Sequence, residues 1–356
     1  MSLSNPSQLL LRNIDLLTAK QPLFVNAPAD NLINEYRQHN PSAELSCLNY
    51  NYQEHLHIQS TVKTPIHCHF TAHYHCPLKH DLVIIFFPKS KQELTYTLAM
   101  LANAIANEAT LLLVGENKGG IKSTPKLAKD YLNNCSKVDS ARHCSLFSAT
   151  FCSKTHKSFT IDDWFNYYQF TQQNITLTIA TLAGVFSYKN LDIGTRLLLD
   201  NLPNNIAGKI LDFGCGSGVI SAFIGKKYPQ AQLSLLDVNA LALASARKTL
   251  QLNQLTGDVF ASDGLSQVKG KYQHIVSNPP FHQGIKTSYS ATENFLIHIK
   301  QFMLSHADIT IVANDFLRYK DIMEQYIAPT KALTNQQGFT IYYGQINEQT
   351  RQALQY

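Results

Sequence analysis

No glycine occurs in the first 114 residues of this 356-residue chain; all sixteen lie from Gly115 onward. A loop that cradles a phosphate or nucleotide needs residues without a Cβ, so that backbone N–H groups can approach the ligand closely. The opening strand and helix region supplies none, which argues against a cofactor site there. Also missing is any run of about 18 apolar residues able to span a bilayer, and no basic head leads into an apolar stretch at the N-terminus. The expectation is a cytoplasmic protein with no membrane partner. The seven cysteines (47, 68, 76, 135, 144, 152 and 215) are odd in number and scattered, unlike the framework of a small secreted domain, and read as reduced thiols. A basic tail is absent as well, because the net charge of +5 divides evenly between the halves. That charge permits a polyanionic partner without demanding one.

What the chain does have is enough apolar material, 44% against 15% charged, to fold throughout, and a length that suits two domains. The residues predict an α/β class. Residues 81–87 form a buried-strand run, 91–107 a helix and 110–114 a second strand, together a βαβ unit. The polar and aromatic stretch 162–179, which holds the sole tryptophan, Trp164, is expected to join the halves and gives domains 1–170 and 171–356. Beyond it, strand and helix signals alternate as a doubly wound parallel sheet requires. Strands are predicted at 209–213, 232–236, 258–261, 272–276, 308–312, near 332 and at 339–345, about seven in all. Helices are predicted at 219–228, at 239–254 with Asn239 as its cap, and near 292–304.

The segment Leu211-Asp-Phe-Gly-Cys-Gly-Ser-Gly218 joins a predicted strand to a predicted helix. Its glycines at 214, 216 and 218 permit a tight turn lying against a ligand. The dinucleotide pattern G-x-G-x-x-G is not met, since Val219 stands five residues after Gly214. Asp212 would attract the cationic amino group of an amino-acid moiety and repel a pyrophosphate, so the loop favours S-adenosylmethionine over NAD. Asp237, ending the next strand, is placed to accept both ribose hydroxyls, and Ser262 and Asp263 follow the third strand towards the adenine. The candidate cofactor set is Asp212, Gly214, Cys215, Gly216, Gly218, Asp237, Val238, Ser262, Asp263 and Asn278. The blander alternative has Asp237 capping a helix and Asp263 opening a turn.

After the fourth strand comes Ser277-Asn-Pro-Pro-Phe281, at the carboxyl end of the sheet where open α/β folds bind ligands. An aromatic exocyclic amine is a poor nucleophile because its lone pair is delocalised into the ring. Accepting its two hydrogens at the Asn278 side-chain oxygen and the Pro279 carbonyl would localise that pair. Pro279 and Pro280 fix the backbone, which preorganises the acceptors, and Phe281 offers a flat face to a flipped-out base. Asn278, Pro279, Pro280 and Phe281 are the candidate catalytic residues. An ordinary Asn-Pro turn is the competing explanation.

Together, Asp212-Phe-Gly-Cys-Gly-Ser-Gly218, Asp237 and Asn278-Pro-Pro-Phe-His-Gln-Gly284 look like the class I methyltransferases that act on amino groups. More narrowly the chain resembles the bacterial 16S ribosomal RNA guanine-N2 methyltransferases of the RsmC family. That narrower resemblance is carried by Gly184-Val-Phe-Ser187, Leu191-Asp-Ile-Gly194, Lys286-Thr-Ser288, Ile311-Val-Ala-Asn-Asp-Phe-Leu317, Val114-Gly-Glu-Asn117 and Lys137-Val-Asp-Ser-Ala-Arg142. It implies two tandem Rossmann-like class I methyltransferase domains, the N-terminal one degenerate and without cofactor, the C-terminal one with a seven-stranded sheet. It further implies S-adenosylmethionine as cofactor, 16S ribosomal RNA within the 30S subunit as partner, and a monomer. In the first domain, Phe87-Pro-Lys89 stands where the catalytic motif would lie, and neither Phe86 nor Phe87 can replace the asparagine.

Two further features compete for attention. Residues 55–80 hold seven histidines and two cysteines, but their spacing lacks the paired pattern of a closed zinc site, and no metal is expected. Lys118, Lys122, Lys126, Lys129, Lys137 and Arg142 form the densest basic stretch, either a solvated helix face or a grip on RNA phosphates. A glutamine-amide protein methyltransferase, a large-subunit ribosomal RNA methyltransferase and a non-catalytic RNA-binding module remain the alternative functions.

Overall fold

The computed structural model describes residues 2–152, 158–279 and 286–347. The chain divides into two compact units, Met1–Phe165 and Asn166–Tyr356. In the first, helices α1 (Asn5–Arg12), α2 (Leu32–His39), α3 (Tyr52–Thr61), α4 (Lys91–Leu101) and the single turn α5 (Thr124–Leu127) accompany seven strands. These are β1 (Pro22–Val25), β2 (Ser46–Asn49), β3 (His67–Phe70), β4 (His80–Phe86), β5 (Ile105–Glu116), β6 (Leu132–Ala141) and β7 (Cys144–Phe151). The sheet order is β3-β2-β1-β4-β5-β7-β6. β1 to β5 run parallel, and β7 is antiparallel to both its neighbours. On one face Leu9, Leu10, Phe24, Ile33, Tyr36, Ile84 and Leu112 share a core. Tyr36 meets Phe24 edge-on at 4.9 Å and donates its buried hydroxyl to Leu17 O at 3.1 Å.

The βαβ unit expected here is β4–α4–β5. Its helix, however, stops at Leu101 instead of 107, and β5 begins at Ile105. The cause is a bulge: the β4–β5 register jumps between His80 and Leu82, with Glu108 at φ 60. An alanine- and asparagine-rich bulge hides the two-residue period and reads as a helix end.

The second unit opens with β8 (Asn166–Gln172) and β9 (Ile175–Thr181). It continues through α6 (Ile193–Asp200), β10 (Gly208–Phe213), α7 (Val219–Lys227), β11 (Ala231–Asp237), α8 (Ala240–Leu252), β12 (Asp258–Ala261) and β13 (Tyr272–Ser277). Then follow α9 (Lys286–His298), β14 (Met303–Asn314), α10 (Tyr319–Tyr326), β15 (Thr330–Gln336) and β16 (Phe339–Gln345). Its sheet order, β12-β11-β10-β13-β14-β16-β15, repeats the first unit strand for strand, and β16 is again antiparallel to its neighbours. Two tandem sheets of one topology are therefore present, as expected. Asn239 caps α8 as predicted, its Oδ1 accepting from Leu241 N and Ala242 N at 2.8 and 3.3 Å. The helix expected near 292–304 instead starts at Lys286, and β14 begins at Met303.

Residues 162–179 span the boundary between the two units, and they are themselves folded. A short turn, Ile161–Trp164, ends the first unit, and the rest folds into the β8–β9 hairpin. Its two-residue loop, Gln173 and Asn174, has φ 48 and 62, the doubly left-handed turn that matches strand twist. The outer edge of β9 would leave backbone groups unpaired, but α8 supplies side chains instead. Thr178 N donates to Asn253 Oδ1 at 3.1 Å, Ala180 N to Thr249 Oγ1 at 3.1 Å and Leu182 N to Ser245 Oγ at 2.9 Å. Among the described residues no helix is long and apolar enough to cross a membrane.

Candidate active site

All three glycines of the turn after β10 take positive φ: 69 at Gly214, 53 at Gly216 and 76 at Gly218. A side chain at Gly218 would meet Ala246 Cβ at 3.1 Å, whereas one at Gly216 would project into open space, with no atom within 4 Å. The loop is thus pressed against α8 at one end and open at its middle. Asp237 at the end of β11 holds it: Oδ2 accepts from Gly216 N and Oδ1 from Asn239 N, both at 2.9 Å. The two oxygens offer about four lone-pair sites, more than the donors that reach them. Burial raises the Asp237 carboxyl above its ordinary value, against the hydrogen bonds from Asn239, Gly216 and Val238.

Asp212 lies fully buried one residue before the end of β10. Oδ2 accepts from Ser221 Oγ at 2.8 Å and Ser221 N at 3.2 Å, while Oδ1 is buried with no hydrogen-bond partner among the described residues. Burial pushes this carboxyl up to about 7, Ser221 pulling it down and Asp237 adding to the rise. A buried, half-satisfied carboxylate is costly, and a cation brought to it would relieve that cost. Cys215 is buried in the loop, and its thiol is raised well above the usual value, first by burial. Ser262 is buried, but its hydroxyl is committed to its own turn, donating to Gly264 O at 2.8 Å and accepting from Gln267 N at 3.1 Å. It shapes the loop that carries Asp263; Asp263 and Val238 are both half-exposed.

Asn278 follows β13 directly. Its Nδ2 donates to Thr195 Oγ1 at 2.8 Å and to Asp192 Oδ2 at 3.2 Å, and its Oδ1 is buried without a hydrogen-bond partner among the described residues. Ser277 anchors the strand end by donating to Phe213 O at 2.7 Å. Pro279 is buried; Pro280 and Phe281 lie outside the described residues. Three contributors have no assigned role in the sequence reading. Asp192 and Thr195 open α6, where Asp192 is the N-cap, a role that the pattern Asp-x-x-Thr could have signalled. Tyr168 comes from the hairpin; burial and then the Asp192 carboxylate push its phenol up to about 12, with Ser217 pulling the other way.

The basic stretch is not one helix face. Lys118 and Lys122 lie in 3-10 turns after β5, Lys126 in α5, Lys137 in β6 and Arg142 in the turn before β7. Lys118, Arg142 and His143 line a cleft of about 370 Å³ with Asn5, Glu116 and Asn117. Of the histidine-rich segment, His67 and His69 lie on β3, while His73 and His75 fall beyond it. Among the described residues no group of three or more His, Cys, Asp or Glu side chains could hold a metal ion.

The family described as methyltransferase small domain N-terminal matches residues 7–168, and the family described as methyltransferase small domain matches 176–343. Sheet order, glycine turn and strand-end residues agree with these matches, so the class is a methyltransferase fold in duplicate. A Colwellia psychrerythraea protein named ribosomal RNA small subunit methyltransferase C is 51% identical over 98% of this chain and 99% of its own length. Proteins of the same name from Psychromonas ingrahamii and Vibrio parahaemolyticus are 42% and 38% identical, over 90% and 95% of this chain and 90% and 97% of theirs. The chain belongs to the ribosomal RNA small subunit methyltransferase C family. The fold is shared with the T. thermophilus 16S rRNA N2 G1207 methyltransferase in complex with AdoMet and guanosine, with a TM-score of 0.78 at 18% identity over 94% of this chain and 91% of that one.

Proposed function

We propose that the protein transfers a methyl group from S-adenosylmethionine to the exocyclic N2 amine of one guanine in 16S ribosomal RNA, within the 30S subunit, acting in the cytoplasm as a monomer. The observation that carries this reading is the Asn278 amide, whose NH₂ end is tied down while its buried oxygen has no hydrogen-bond partner among the described residues. Support for the substrate comes from the name of the relatives and from the guanosine and AdoMet held by the T. thermophilus protein.

In this reading the turn 214–218 cradles the cofactor, Asp212 faces its amino group, Asp237 takes the ribose hydroxyls, and Val238 and Asp263 border the adenine. When bound, S-adenosylmethionine would supply a methyl group activated by its sulfonium centre and would leave as the neutral thioether, which keeps the electron pair of the broken C–S bond. Asn278 Oδ1 and the Pro279 carbonyl accept the two hydrogens of the guanine N2 and localise its lone pair towards that methyl. Pro280 stiffens the acceptor and Phe281 stacks on the extruded base. The methylated nitrogen, cationic at first, releases a proton to water, so alignment supplies most of the rate. The N-terminal domain, 1–170, is read as a degenerate, non-catalytic copy that grips RNA phosphates around Lys118, Lys122 and Arg142.

Incubation with tritiated S-adenosylmethionine and either undermethylated 30S subunits, naked ribosomal RNA or total protein tests this. Label in the 16S RNA of the subunits, recovered as N2-methylguanosine, is expected; label in large-subunit RNA or in protein glutamine would replace the reading with one of its competitors. Lys118→Glu with Lys122→Glu should weaken subunit binding and lower its salt slope by about 2; unchanged binding removes the RNA role of the first unit.

A further inference from the structure

An asparagine amide has a donor end and an acceptor end of nearly the same shape, and what grips one end decides which faces a substrate. Asn278 lies against Asp192 and Thr195. A carboxylate has no proton to give, so Asp192 admits only the NH₂ end. Thr195 donates its hydroxyl to the same Asp192 Oδ2 at 3.3 Å, which leaves its oxygen lone pair to accept from Asn278. A flipped amide would set oxygen against carboxylate, and the Thr195 hydroxyl could serve it only by turning its proton away from Asp192. The orientation follows from the chemistry of the neighbours, and its consequence is a buried Asn278 oxygen with no partner among the described residues.

We infer that Asp192 and Thr195, at the first turn of α6, are positioning residues that fix the donor–acceptor polarity of Asn278 and so make the site select a substrate group that donates, such as NH₂. This rests on the reading of Asn278 as the catalytic amide. A carbonyl oxygen or an unprotonated ring nitrogen would face the Asn278 oxygen lone pair to lone pair, whereas an amine brings the donor that oxygen lacks. Capping alone does not account for Asp192. The cap needs an acceptor for Thr195 N, met at 2.9 Å, and a serine performs that task as well. A serine hydroxyl is one atom shorter and would leave Asn278 without its carboxylate contact.

The test uses the full-length protein with undermethylated 30S subunits, reading kcat, KM for the subunit, melting temperature and S-adenosylmethionine affinity by calorimetry. Asp192→Ser, which keeps the cap, should lower kcat about 100-fold, and Thr195→Val about tenfold, with KM and cofactor affinity within about twofold. Thr195→Ser should restore kcat to within about threefold of the parent, and Asp192→Asn, which still offers an oxygen, should fall between. Thr195→Val is isosteric, so its melting temperature should hold and separate loss of orientation from loss of fold. Normal kcat in Asp192→Ser and Thr195→Val beside an inactive Asn278→Ala overturns the inference and leaves the catalytic reading standing. Losses confined to KM or cofactor affinity overturn it too. An active Asn278→Ala sinks the catalytic reading and this inference with it.

Discussion

The two sheets share one strand order, yet the carboxyl ends of their central strands carry opposite chemistry. Matching the last residues of β1 and β10, Val25 and Phe213, fixes the equivalences, and the register carries them to the neighbouring strands. Phe24 pairs with Cys47 and Ile84 as Asp212 pairs with Leu235 and Val276, so Phe24 stands where the second sheet has its buried acid. By the same count Asn26 matches Gly214, Asn49 matches Asp237 and Phe86 matches Asn278. Asn26 even keeps the left-handed turn, φ 54 against 69 at Gly214, one of the few side chains that tolerates it. It fills the space that a glycine leaves open, accepting from Tyr50 N at 3.0 Å and donating to Glu93 Oε1 at 3.4 Å. Asn49 donates to Ala27 O at 2.8 Å, where Asp237 accepts from the glycine turn. The frame is set by apolar strand pairing, and ligand capacity by a handful of strand-end residues, so one can persist without the other.

The catalytic position separates the two units most strongly. Asn278→Ala should lower methyl transfer about 1000-fold, far more than it weakens cofactor binding by calorimetry, and Phe86→Asn should create no transfer in that background. Retention of a tenth of the activity by Asn278→Ala would erase the distinction. Next in size is Phe24→Asp, which puts the second unit's acid into the fully buried core of the first. It should destabilise that unit by about 4 kcal/mol, visible as a separate early melting transition, whereas Asp212→Asn should leave the fold standing.

Smaller is the effect of Gly218→Ala, with φ 76 and Ala246 Cβ 3.1 Å from the added methyl. A cost of about 2 kcal/mol should weaken cofactor affinity roughly 30-fold, while Asn26→Gly should change no ligand binding at all. The smallest effect is that of pH. Burial pushes Glu54, Glu93 and Asp212 up to about 7, so between about pH 4 and 7 the folded chain holds more protons than the unfolded one. Stability therefore falls as pH rises through that window and levels off above it. Cofactor affinity should run the other way, tightening as pH passes 7, because a cation favours the ionised Asp212. Asp212→Asn should flatten that slope and no substitution at Glu54 or Glu93 should; an equal response would mean that both units bind.

The second sheet was largely legible because its central strands are continuous apolar runs punctuated by glycine, acid and Asn-Pro. The first was legible only at β4 and β5. Its β1, β2 and β3 have four residues each, too few to show a period, and β6 is mostly exposed polar sequence. The strands of the hairpin 166–181 were not legible within the joining segment 162–179 because one face is polar and the outer edge is satisfied by side chains about 70 residues away. The same distance hid the grip on Asn278, whose partners precede it by 86 and 83 residues. Capping patterns reveal where a helix starts, not what else the cap touches.

Trp164 closes the first unit, with Tyr96 edge-on at 5.7 Å and Phe159 stacked at 6.2 Å. As the chain's sole indole, it makes intrinsic fluorescence a reporter of one half only. Emission followed beside far-ultraviolet dichroism, which sees both halves, would show whether they denature as one cooperative block or as two.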